Sequence, residues 1–119
     1  MSHGSEKDFM DEREALNSLM LENADRVMKR FMSLDSLAYG EGALKTDVKE
    51  LLGLTASMVL RCDDCVRWHL SRCREEGVST EEVVEAMGIA MLVGGSITIP
   101  HVRRAVKYWF GSAGEEGRD

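Results

Sequence analysis

Proline occurs once in the 119 residues, and aromatic side chains make up only 6% of them. With so few aromatic or β-branched runs there is little from which to build strands, whereas Leu, Met, Ala, Glu and Arg dominate the middle of the chain. Basic charge is also short: 15 Lys plus Arg stand against 21 Asp plus Glu, for a net charge of -6. Such a surface repels phosphate backbones, so no nucleic acid partner is expected. Long apolar runs are missing too. The longest stretch without Asp, Glu, Lys or Arg is Ala86 to Val102, interrupted by Gly88, Gly94, Gly95 and Pro100; a membrane span needs about 20 mostly apolar residues, so no membrane association is expected. The N-terminus, MSHGSEKDFMDERE, lacks the apolar core of a secretory signal, which makes a cytoplasmic address the default. Three cysteines are an odd number for a secreted disulfide framework, and in a reducing compartment their spacing reads as redox or metal chemistry.

What is present is the composition of a soluble globular domain, 44% hydrophobic and 30% charged in 13.3 kDa. One domain, residues 1–119 with a core at about 37–110, is expected, and it should be all-α. From Asp11 to Met32 the apolar positions Leu16, Leu19, Met20, Val27, Met28 and Phe31 recur at spacings of three and four, which predicts a first amphipathic helix. Ser33 to Lys45 reads as a connector. Thr46 then caps a helix through Glu50, Leu54, Met58 and Leu60. Gly77 suits the end of the next helix. Ser79 and Glu82 form the capping-box pattern of another, with Val83, Val84, Met87, Ile89, Ala90 and Met91 on its buried side. Gly94 and Gly95 end that helix. Pro100 fits the first turn of a last one, which continues through Val102, Ala105, Val106, Trp109 and Phe110 to Gly111 and gives way at Ser112 to a loose polar tail.

Chemistry concentrates in Cys62-Asp63-Asp64-Cys65-Val66-Arg67-Trp68-His69, a C-x-x-C-x-x-x-H segment. At about 100° per residue, Cys62, Cys65 and His69 fall within roughly 60° on one helix face. Side chains three apart lie about 5 to 6 Å from each other, so a small adjustment lets Cys62 and Cys65 cycle between dithiol and disulfide. A helix starting near Arg61 or Cys62 would present free N–H groups and a positive end that favour thiolate. His69, one turn after Cys65, is better placed to take a proton from Cys65 than from Cys62. This makes Cys65 the expected nucleophile and Cys62, nearer the helix tip and expected to be the more accessible, the resolving thiol that presents the disulfide to a reductant. Glu50, twelve residues before Cys62, reaches His69 only if the chain breaks between two helices; it would then orient the imidazole.

The pattern Glu50, eleven residues, Cys62-x-x-Cys65-x-x-x-His69, then Gly77 and Ser79 to Glu82, resembles the AhpD-like alkylhydroperoxidases of the carboxymuconolactone decarboxylase family, as a single-repeat member, over roughly Leu37 to Phe110. The resemblance implies an all-α helical bundle assembled as a homo-oligomer, a trimer or hexamer. It also implies peroxidase and disulfide-reductase activity on a hydroperoxide, with electrons from a lipoyl or thioredoxin-like thiol protein and no bound cofactor. In those relatives the residue matching Cys65 becomes the sulfenic acid, the one matching Cys62 closes the disulfide, and those matching Glu50 and His69 relay the proton. Asp64 stands where AhpD-type members carry a histidine, and a carboxylate there raises a nearby thiol's pKa.

Two other readings compete: a non-enzymatic module that binds metal or a partner through the same cysteines, and a carboxymuconolactone decarboxylase-type lactone enzyme that needs no thiol. Cys62, Cys65, His69 and Cys73 share a stripe, but eleven residues of helix extend about 16 Å, too far for four ligands to meet one zinc ion. Cys73 therefore reads as a small core residue. Trp68 reads as packing, His101 has no partner in sequence, and Arg103, Arg104 and Lys107 read as a solvated basic face.

Overall fold

A computed structural model describes residues 5–117. Six helices account for nearly all of them: α1 Glu6–Glu22, α2 Arg26–Tyr39, α3 Thr46–Val59, α4 Asp63–Glu75, α5 Thr80–Gly94 and α6 Ile99–Gly117, the last preceded by a 3₁₀ turn at Ser96–Thr98. The all-α expectation holds.

The core lies where α3, α4, α5 and α6 meet. Leu54 and Met58 of α3, Val66, Leu70 and Cys73 of α4, and Val83, Met87 and Ala90 of α5 are buried there, closed by Ala105, Tyr108 and Trp109 of α6. Tyr108 is a core residue that the spacing did not single out. Val84, Ile89 and Met91, expected inside, are exposed.

The first amphipathic helix of the sequence reading is two helices. Asn23 ends α1, and the Asp25 side chain accepts the Met28 N–H at 2.9 Å and starts α2. A capping carboxylate outweighed the continuous apolar period. The expected connector from Ser33 is helical to Tyr39, and the expected loose tail is helical to Gly117, while residues 118–119 lie outside the description. Neither α1 nor α2 has a buried residue, and Leu16, Val27, Phe31 and Leu37 face outward. The α1 helix lies on α4 through Arg13, stacked 3.6 Å over Trp68, and through Phe9, which lies 5.0 Å under Arg67 and also meets the Tyr108 ring of α6 edge-on at 5.9 Å.

Both ends of α4 are set by the same kind of turn. At its C-terminus, Gly77 has φ 77° while the Val78 N–H bonds back to the Cys73 carbonyl and the Gly77 N–H to that of Arg74. This is the paired closure that a left-handed residue allows. Before α4, the α3 helix ends the same way: Arg61 has φ 62°, the Cys62 N–H reaches the Ser57 carbonyl and the Arg61 N–H that of Met58. An arginine in the left-handed region costs about 1–2 kcal/mol. The turn folds α4 back along α3, and the site depends on that reversal.

Candidate functional site

Cys62 is the N-cap of α4, and its Sγ accepts the Cys65 N–H at 3.3 Å. The two cysteines, with Cα atoms 5.3 Å apart, form a disulfide, and Cys73 is free and buried. A thiolate on Cys62 gains from that N–H and from the positive end of the helix. Exposure runs opposite to expectation: Cys65 is exposed and Cys62 half-buried, because the Arg61 turn tucks the cap residue against α3 while Cys65 sits in the outer part of the first turn.

The reversal between α3 and α4 also brings Glu50 to His69. Glu50 is 1% exposed and His69 8%. The His69 Nδ1 lies 2.8 Å from Glu50 Oε1, and Arg72 Nε donates to Glu50 Oε2 at 3.3 Å. With Nδ1–H given to the carboxylate, Nε2 is the nitrogen left for proton transfer. It faces the Tyr39 hydroxyl at 3.5 Å, and among the described residues no hydrogen bond joins the imidazole to either sulfur. Burial, with Glu50 and Asp35 nearby, pushes the Tyr39 hydroxyl above its usual range, so it remains a neutral donor.

Tyr39 is held in place by the start of α3. Thr46, read from sequence as a cap, instead follows the N-cap Lys45, and its hydroxyl donates to the Tyr39 carbonyl at 2.8 Å. The Lys49 ammonium donates to the carbonyls of Ala38 and Gly40. Gly53 completes the fit, since a Cβ there would stand 2.5 Å from His69 Cε1 and 2.6 Å from the Tyr39 oxygen. Only a residue without a side chain lets imidazole and phenol share that space.

Sequence reasoning missed Tyr39 and Arg72. Arg72 was legible as the next residue on the His69 stripe, three positions on; Tyr39, thirty residues away, left no local signal. A cleft of about 400 Å³ opens on this side, lined among others by Tyr39, Glu50, Trp68 and Arg72. Trp68 thus both packs under Arg13 and walls the cleft. Asp64 is exposed and paired with Arg67 at 2.9 Å. Cys73 lies in the core as expected, and burial pushes its thiol up to about 12.

A second histidine finds a carboxylate as well. His101 Nδ1 lies 2.7 Å from Asp63 Oδ1, and Arg104 Nε donates to Asp63 Oδ2 at 2.7 Å. The residue that sequence left without a partner, and one of the cations read as solvated, meet the first residue of α4.

Comparison with known proteins finds relatives of the same fold. Two crystal structures of a Thermotoga maritima protein superpose with TM-scores of 0.90 and 0.87, at 50% and 49% identity. The first match covers 95% of this chain and 99% of that one, the second 92% and 93%. That protein is described as a carboxymuconolactone decarboxylase family member and a candidate for a role in antioxidative response. A Legionella pneumophila protein of the same family, 20% identical, shares the fold with a TM-score of 0.81 over 90% of this chain and 96% of that one. An uncharacterized protein of the Paracoccus denitrificans cox locus is 26% identical over 64% of this chain and 68% of its own length. An uncharacterized Cupriavidus necator protein is 28% identical over 69% and 73%. The family model for carboxymuconolactone decarboxylases matches residues 25–108, a span that holds Tyr39, Glu50, both paired cysteines and His69. With half its residues shared with the Thermotoga protein and the helices superposed end to end, the chain belongs to the carboxymuconolactone decarboxylase family.

Proposed function

We propose that the protein is a cysteine-based hydroperoxide reductase with an antioxidant role. The observation that carries this reading is the Cys62–Cys65 disulfide at the start of α4, one turn from a buried His69–Glu50 pair. The Cys65 thiolate attacks the terminal oxygen of a hydroperoxide; the O–O bond breaks, the alcohol leaves after taking a proton, and Cys65 becomes a sulfenic acid. The Cys62 thiolate then attacks that sulfur and displaces hydroxide, which leaves as water after protonation. A dithiol reductant, a lipoyl or thioredoxin-like protein, restores both thiols. His69 Nε2 takes the Cys65 proton and returns it to the departing oxygen, Glu50 stabilises the imidazolium, and Tyr39 with the cleft links the pair to solvent.

The antioxidative description of the Thermotoga protein supports the same reading. Treatment of reduced protein with a hydroperoxide should convert Cys62 and Cys65, but not Cys73, to a disulfide, counted by alkylation and mass spectrometry. Retention of both thiols would overturn the proposal. Lactone decarboxylation that survives Cys65→Ser would move it to the acid–base chemistry of the lactone enzymes.

Self-association is proposed too. Exposed Val27, Phe31, Leu37, Leu92 and Val93 form more apolar surface than a lone small domain ordinarily leaves uncovered. Light scattering should give a trimer or hexamer, and a monomer at micromolar concentration would refute it.

A further inference from the structure

The peroxide chemistry leaves one polar cluster unused. Asp63 directly follows Cys62 and opens α4, and both of its carboxylate oxygens are committed to α6, one to His101 and the other to Arg104. Burial works against charge on Asp63, but the hydrogen bonds from His101 and Arg104 outweigh it and hold the carboxyl below its usual range. A negative charge therefore stands one residue from the Cys62 sulfur, and its balance comes from α6.

Resting on the thiol-redox reading above, we propose that Asp63, His101 and Arg104 are positioning residues for the reductive half-cycle, balancing the charge beside Cys62 so that it leaves readily as a thiolate. In that half-cycle a thiolate of the dithiol reductant attacks the exposed Cys65 Sγ. A reductant–Cys65 disulfide forms, the Cys62–Cys65 bond breaks, and the electron pair stays on Cys62. The reductant's second thiolate then displaces Cys65. The reductant ends as a disulfide, and its two protons end on the enzyme's thiols or in solvent. Cys62 is the leaving group of the first exchange, held by the Cys65 N–H and the helix end. An unbalanced Asp63 carboxylate would oppose its charge; a guanidinium on that carboxylate removes the opposition.

The test is a redox titration of the full chain against reduced and oxidised glutathione, with the Cys62–Cys65 disulfide counted by alkylation and mass spectrometry. Arg104→Leu should favour the disulfide by about three- to tenfold, and Asp63→Asn should favour the dithiol by a similar factor, where tenfold corresponds to about 30 mV. Lost packing would move both single variants the same way. Shifts of one sign, or none, overturn the proposal. A wild type whose Cys62 and Cys65 stay thiols at every ratio overturns the redox reading and takes this inference with it.

Discussion

Glu50, His69 and Arg72 meet beneath the surface where α3 turns into α4, whereas Asp63, His101 and Arg104 meet half-exposed where α4 touches α6. The two sets hold the same chemical groups: a carboxylate between an imidazole and a guanidinium. They differ in depth, with Glu50 nearly sealed from solvent and the Asp63 side chain 29% exposed. In low dielectric, Glu50 and His69 depend on their partners for compensation, while water shares that task at Arg72 and in the outer set. The inner set suits proton transfer, where orientation must be fixed, and the outer suits adjustment of a neighbour's charge.

The largest contrast should come from the carboxylates. Glu50→Gln should lower peroxide turnover by about 10²- to 10⁴-fold, the range expected when a positioned acid–base pair is disabled, and Asp63→Asn should change it far less; a coupled peroxidase assay decides. Truncation should show the same order in stability. Glu50→Ala leaves the buried His69 imidazole without its partner and should cost about 1–3 kcal/mol, against about 1 kcal/mol or less for Asp63→Ala, by urea denaturation. Equal losses would end the distinction by depth.

Gly53→Ala should separate the sets without touching a polar group. The added methyl collides with His69 and Tyr39, should cost about 1–3 kcal/mol by overpacking, and should slow turnover while leaving the glutathione potential of the cysteine pair in place. The buried thiol and phenol of the core supply a background common to both sets. Burial pushes Cys73 up from 9.0 and Tyr108 up from 10.0, both to about 12. Between those limits the unfolded chain gives up protons that the folded chain retains, so urea midpoints should fall from about pH 9 toward pH 12. The smallest effect belongs to the turn ahead of the outer set. Arg61→Gly relieves the left-handed arginine and should raise stability by about 0.5–1 kcal/mol, the rest being offset by the freer unfolded chain.

Much of this was legible in the residues, but unevenly. Helix type, the Ser79–Glu82 capping box and the Gly77 end are local, and each appears where the sequence puts it. The C-x-x-C start of α4 was legible for the same reason, since a cap and a thiol pair need only neighbours. Periodicity misled at Leu16, Val27 and Ile89 because it reports a face that can be buried, not whether this chain covers it. The break at Asp25 was hidden under that same period. Glu50 and His69 could meet only through the reversal at Arg61, which no glycine announced. Tyr39 and His101 reach their partners across thirty or more residues, and nothing in their own surroundings points there.

Cys62 punctuates twice, closing α3 with its amide and opening α4 with its sulfur. An electron gained or lost at that atom is therefore also a change in how firmly the next helix begins. The exchange rate of the Cys65 amide hydrogen becomes a gauge of oxidation state, readable by nuclear magnetic resonance without any substrate present.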